Sequence, residues 1–480
     1  MHPGRDRAGP GAVEHVCRSM KPLWAIAALT WKAAFRFRLF WVVTALLLAS
    51  VVVLPLILKD DGTARGFTQI LLTYTLSAIT GLLGLCTLWL ACGTLARDIE
   101  ECQIQLVAVK PVPRWKIWLG KWLGLVSLNG VILLLAGACV YALLLYRAEK
   151  LPADQQAILF KEVLVARGSA RPPDFRDQIA TETDRRMRER LAQQPHLKVD
   201  LAEVRRQIEE QVKAEYQVVP PGYVKFWQVD LGLQRLFLQG RPMHLRIKFN
   251  AAVSTESQTF TGLWQMGVPE TPRIWRSDPM SLAPDTFHEF EIPPDLMDEK
   301  GILTIAFLNA NNVTLLFPLE DGIEVLYWQG GFLLNYLRGL GIIFCWMILL
   351  ATLGLSTASF LSFPVAAFVS LAMLVLVFSS GTIRTVVTEG SLLGWDPEAE
   401  APSQTWIDKL GVPVFRGIWW VIQLAKGFAP IDALSTGRSV SWTELARAVG
   451  QIVLLLSGLL ATAGLWGFHR RELATATPLQ

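Results

Sequence analysis

The segment from Arg97 to Lys121 reads RDIEECQIQLVAVKPVPRWKIWLGK, a charged, proline-broken stretch between apolar runs at 67–95 and 122–145. Each run is long enough to cross a bilayer as a helix, which takes about 20 apolar residues. Arg97, Lys110, Arg114, Lys116 and Lys121 place the connecting stretch in the cytoplasm by the positive-inside rule. Only a short amphipathic helix and a turn at Pro111-Val112-Pro113 fit there.

Working outward, the expected fold class is an α-helical polytopic membrane protein with about six transmembrane helices in a 3+3 arrangement, at 39–58, 67–95, 122–145, 339–358, 361–383 and 449–468. Arg36 and Arg38 precede the first span and His469-Arg470-Arg471 follow the last, so both termini are expected in the cytoplasm. The turn at 359–364, between spans four and five, falls on the same side. The N-terminal region 1–38 shows no cleavable signal peptide. Residues 20–38 read instead as an amphipathic interfacial helix, with Leu23, Ile26, Ala27 and Thr30 on one side and Trp24 and Trp31 suited to the headgroup level. Residues 1–19 are rich in Gly, Pro and Arg and are expected to lack structure, which leaves Met20 as an alternative first residue.

Composition agrees: 52% of residues are hydrophobic, only 18% are charged, and the 18 tryptophans suit a chain with many interfacial positions. The net charge of +4 is spread over span ends rather than gathered in a patch, which argues against a nucleic-acid partner. Cys17, Cys86, Cys92, Cys102, Cys139 and Cys345 all fall in spans or cytoplasmic segments, so the region between spans three and four has no internal disulfide.

That region is expected outside the cytoplasm in two parts. Residues 147–222 form a charged helical region in which Leu201, Val204, Ile208 and Val212 make a helical stripe, read as a solvated stalk. Residues 223–327 switch to period-two runs such as HLRIKFNAAV from His244, TFHEFEI from Thr286 and GILTIAFL from Gly301, which indicate an antiparallel β-sandwich. Trp227, Trp264 and Trp275 read as core aromatics, with a ligand-stacking platform as the other option. The spans flanking these parts give regions 39–146 (spans one to three), 328–384 (spans four and five) and 446–480 (span six and a cytoplasmic tail). The outer loop 385–445 opens with Glu389, Asp396, Glu398 and Glu400. Its apolar stretch 412–428 is interrupted by Arg416 and Lys426 and reads as a re-entrant or interfacial helix, because a seventh crossing would leave one basic terminus on the wrong side.

Catalytic motifs are missing. No G-x-x-x-x-G-K-[ST] loop occurs; Gly120-Lys121 is followed by Trp122. His288-Glu289 begins an HExxH-like run, but Ile292 takes the second histidine's place. No catalytic, cofactor-binding or metal-ligating residue is expected, and no enzyme activity. Arg338 and Arg384 sit near span ends, where snorkelling accounts for them, so an ion-coupled relay is poorly supported.

The run PVPRWKIWLGKWLG between spans two and three, with FHRREL after the last span, resembles the permease subunit of type-2 ABC transporters, with a large extracytoplasmic insert. In that family an acidic segment followed by P-[VI]-x-R-x-x-[IL]-x-x-G-K joins these spans and contacts the ATPase. The resemblance maps this onto Glu100, Glu101, Pro111, Val112, Arg114, Ile117, Gly120 and Lys121; Lys116 joins them as a charged handle on the same piece. It implies an exporter whose energy comes from a separate cytoplasmic ABC ATPase subunit, a second permease copy or paralogue, contact with membrane lipid, no cofactor, and location in the plasma (inner) membrane. The outer domain departs from the short loops of typical members and is similar in position to the β-jelly roll of lipopolysaccharide-extracting permeases. The competing class is a membrane-anchored extracytoplasmic glycan- or envelope-binding scaffold, for which six spans are excessive.

Overall fold

The computed structural model describes residues 11–36, 38–57, 63–104, 112–193, 201–234, 240–252, 259–268, 273–392, 406–425 and 427–471, with 238, 395–396 and 401–402. The chain divides into two compact units, 165–330 and the flanking segments up to 164 and from 331.

Along the chain, helices α1 (Gly11–Arg36), α2 (Arg38–Ile57), α3 (Ala64–Glu100), α4 (Arg114–Ala148) and the short α5 (Ala153–Ile158) come first. The insert follows, with β1 (Val165–Ala170), α6 (Arg176–Gln193), α7 (Leu201–Gln217) and strands β2 (Val218–Val219), β3 (Val224–Asp230), β4 (Met243–Ile247), β5 (Asn250–Ala251), β6 (Phe260–Gly267), β7 (Ile274–Arg276), β8 (Met280–Leu282), β9 (His288–Ile292), β10 (Ile302–Asn309), β11 (Leu315–Leu316) and β12 (Ile323–Gly331). Helices α8 (Phe332–Phe360), α9 (Phe363–Phe378), α10 (Ser380–Glu389), α11 (Trp406–Ala425), α12 (Pro430–Ser435), α13 (Trp442–Ala448) and α14 (Gly458–Arg470) complete it, with a π-helix at Val449–Ser457 joining the last two.

Among the described residues, four helices are long and apolar enough to cross a membrane: Ala64–Glu100, Arg114–Ala148, Phe332–Phe360 and Trp442–Arg470. Two bent pairs raise the number to as many as six. Pro22–Arg36 meets Phe40–Leu54 at 75°, and Phe363–Val377 meets Ser380–Thr388 at 65°. The first bend separates the amphipathic segment from the apolar one, as their compositions require. The second breaks the expected fifth span at Ser379. The apolar stretch read at 412–428 falls on α11 only as far as Ala425, where that helix ends, and α11 is not among the four.

Helix α8 is the hub of the helical unit and packs on α3, α4, α9 and α14. Close approach to α3 depends on Gly354, where a Cβ would come within 2.6 Å of the Ala91 Cβ. Helix α1 starts at Gly11, well before the amphipathic stretch expected at 20–38. It turns Ile26, Ala27, Thr30 and Ala34 inward, and a Cβ at Gly120 or Gly124 of α4 would collide with Ile26 or Thr30. Trp31 Nε1 donates to Ser127 Oγ at 2.9 Å across the same contact.

The insert begins at Val165, earlier than the sandwich boundary read at 223. Leu159, Val163 and Leu164 belong to the helical unit's core. Strand β1 lies in the stretch read as helical, its short VARGSA run being too brief for a period to show. The sheets run β1-β12-β4-β9 and β3-β10-β6-β7, with β8 also on β6 and a small β2-β11-β5 sheet. From β3 onward the long strands alternate between the two large sheets, the order of a jelly roll. Both sheets share one core, in which Leu245, Ile292 and Val325 of the first meet Val229, Trp264 and Ile305 of the second. Helices α6 and α7 form a side hairpin over Ile179, Val204, Ile208 and Val212, so the α7 stripe is a buried seam with Phe175 and Tyr216 packed against it.

Candidate coupling site

The residues singled out in 97–121 gather where α3 ends and α4 begins. Lys121 is buried on α4, and its Nζ donates to the Thr94 carbonyl at 2.5 Å and pairs with Asp98, both on the last turns of α3. Asp98 lies in the last turn of α3, where a cation gains from the helix dipole as well as from the ion pair. Lys121 therefore acts as a clasp between the two helices that flank the segment. Gly120 is the close-packing point against Ile26 described above.

Glu100 and Glu101, adjacent in sequence, do different things. Glu100 Oε1 accepts the Phe363 backbone N–H at 2.7 Å, at the exposed N-terminus of α9. There a carboxylate satisfies an orphan donor and complements the dipole. Arg97 stacks 4.2 Å from the centroid of the Phe363 ring, which also meets Trp89 in a T-shaped contact. Glu101 is exposed and accepts from Gln103 Nε2 at 2.6 Å, a purely local bond.

Arg114 ties the start of α4 to the end of α14. Its Nη1 donates to the carbonyls of Phe468, His469 and Arg471 at 3.3, 2.7 and 3.0 Å. Arg471 in turn donates to Ala358 and Leu361 carbonyls at 2.9 and 3.2 Å, closing the end of α8. Trp118 Nε1 reaches Ser359 Oγ at 3.2 Å in the same corner. Each arginine thus satisfies last-turn carbonyls that a helix cannot bond itself. Lys116 is partly buried, its ammonium 5.4 Å from the Trp115 ring centroid. Lys110 and Pro111 lie outside the described residues, as do Glu398, Glu400 and Lys426.

Phe363, Ser359 and Arg471 were not singled out individually. Arg471 stands in the FHRREL ending, but its target is a carbonyl cluster more than a hundred residues away, as the 113-residue separation from Ala358 records. No local pattern encodes that.

Elsewhere, Trp227 and Trp264 are core, and Trp275 is half-buried and stacked on Phe290. His288 Nε2 lies 2.8 Å from the Ala283 carbonyl and Glu289 pairs with Arg167, so the HExxH-like run is a strand with structural partners. Among the described residues no group of three or more His, Cys, Asp or Glu could hold a metal. No family model, curated protein or solved structure matches this chain. Its apolar helices and inserted sheets are those of a multi-pass membrane protein with a β-sandwich domain.

Proposed function

We propose that the chain is the permease subunit of an ABC exporter, paired with a second permease copy and driven by a separate cytoplasmic ATPase docked on 97–121. The observation that carries this reading is the knot at the segment's two ends. Glu100, Arg114, Lys121 and Arg471 join α3, α4, the α8–α9 turn and α14 into one polar-bonded corner. Hydrogen bonds involving charged groups are each worth roughly 1.5–3 kcal/mol net. A displacement of the segment is therefore passed to helices from both halves of the chain at once. A loop free of the bundle would absorb such a push. These 480 residues carry no phosphate-binding loop, so in this reading the ATP site is supplied from outside them.

In this division of labour Glu101 and Lys116 present charge to the partner, while Glu100, Arg114 and Lys121 hold the bundle. Reversing both charges (E101R with K116E) should abolish co-purification of the ATPase and ATP-dependent transport. The chain's own stability should move by no more than about 0.5 kcal/mol, as for surface sites. A double variant that keeps its ATPase and full transport sinks the docking role.

A further inference from the structure

A cleft of about 330 Å³ lies between α11 and the helix that starts at Trp442, lined by Gln423, Leu424, Phe428, Glu444, Arg447 and Gln451. Its size is that of a small-ligand pocket. The lining is mostly polar. The Gln423 and Gln451 amides and the Arg447 guanidinium make no hydrogen bond among the described residues. Gln451 lies within the candidate span Trp442–Arg470, where an unbonded amide is costly. It also lies on the π-helix Val449–Ser457, a rare conformation that often marks functional sites.

The surroundings identify the class of occupant. Arg447, Gln451, Leu455 and Leu459 follow one another at four-residue spacing, so they form one column along the helix. The column changes from charged to amide to apolar with depth, and Leu454, Leu455 and Leu459 are all exposed. Trp442 and Trp420, both exposed, belong at the headgroup level. A polar cleft continuing into an exposed leucine track matches an amphiphile. Arg447 and the two amides supply donors for a phosphate. Glu444 stands one turn from Arg447, where its carboxylate can receive an ammonium.

We propose that this cleft is a binding site for a single phospholipid with a phosphoethanolamine head group, its acyl chains lying along Leu454, Leu455 and Leu459. The inference rests on the membrane-embedded character of the helices and not on the ATPase. It is tested on the full chain alone, so it stands or falls separately from the permease reading.

The test is native mass spectrometry of the full chain in nanodiscs holding equal phosphatidylethanolamine and phosphatidylglycerol, recording the lipid retained after the disc is stripped. The wild type should keep one phosphatidylethanolamine per chain in preference to phosphatidylglycerol. R447M and Q451L should each reduce retention about tenfold, while R447K keeps the lipid. E444Q preserves the helix cap, since Gln serves there as well as Glu. It should keep a bound lipid but lose the preference between head groups. Soluble glycerophosphoethanolamine, which lacks tails, should not displace the lipid; displacement would mean a site for free phosphate esters and overturn the proposal. Unselective retention by the wild type, or full retention by R447M and Q451L, would reduce the cleft to ordinary lipid contact. If either span variant fails to insert, Q423A on α11 must show the loss in its place, and full retention there is equally decisive.

Discussion

The helical unit and the inserted jelly roll differ in how often a buried polar group finds its partner nearby in the chain. In the helical unit many buried hydroxyls bond a carbonyl of their own helix, as Thr68 does to Ala64 at 2.9 Å, Thr75 to Leu71 at 2.6 Å and Thr352 to Ile348 at 2.7 Å, while others reach between helices, as Ser356 does to the Leu460 carbonyl at 2.7 Å. In the jelly roll, buried polar groups also link segments distant in the chain. Asn309 donates to Val219 and Val313 carbonyls at 2.9 Å each. Glu324 of β12 accepts from Ser169 and Arg171, with Arg246 opposite it on β4. The surfaces differ as well. The helical unit exposes Trp41, Leu46, Leu134, Leu135, Phe368 and Leu459, whereas α6 carries ion pairs such as Arg186 with Glu182 and Glu215. A helix facing hydrocarbon can satisfy a hydroxyl within its own turn, where no water is there to help. A water-facing domain can use polar groups as struts between distant strands, because its unfolded state is solvated everywhere.

The largest effect that could break this comparison is in labelling. With the other cysteines replaced, native Cys102 is exposed on the segment assigned to the cytoplasm, and D278C would be exposed on the jelly roll. An impermeant thiol reagent added outside intact cells should label D278C fully and Cys102 only after permeabilisation. The same accessibility at both sites would collapse the assignment of two environments.

A paired substitution sharpens it. N309A leaves two carbonyls without their donor and should destabilise the jelly roll by on the order of 2–3 kcal/mol, read by denaturant-dependent proteolysis of the full chain. T75V removes a hydroxyl that bonds only its own helix and keeps the shape. It should cost under about 1 kcal/mol, the scale of hydrogen bonds between membrane helices. Equal costs would show that the two units do not differ in this way.

The smallest effect is in pH. Burial pushes Lys225 down to about 8 from 10.5, while its ammonium reaches the Tyr216 and Val218 carbonyls. The folded jelly roll then holds fewer protons at this site than the unfolded chain between about pH 8 and 10.5, so stability from this group rises with pH across that window and is absent below it. The difference between wild type and K225M should grow in the wild type's favour from pH 8 to 10.5. A difference independent of pH would place Lys225 in water.

The apolar runs at 67–95, 122–145 and 449–468 were legible because membrane helices are coded by composition over twenty residues, a signal that needs no knowledge of neighbours. The sandwich was legible for the same kind of reason, since alternation along HLRIKFNAAV or GILTIAFL is local. Strand β1 was not, because its pairing with β12 lies more than a hundred and fifty positions away along the chain, as the 155-residue gap from Ser169 to Glu324 shows. The segment 97–121 stood out by charge and proline, yet charge could not tell Glu100 from Glu101. Only the arrival of the α9 N-terminus, through Phe363, makes one a cap and leaves the other exposed. The break at Ser379 and the π-helix at Val449–Ser457 likewise have no counterpart in hydropathy. By itself the sequence determined where the long apolar runs lie, which long alternating runs are strands, and where the charged connection lies, because periodicity and composition are properties of neighbours in the chain. The tertiary structure alone decided which charges are clasps and which are handles, because that depends on helix ends brought together from residues hundreds of positions apart.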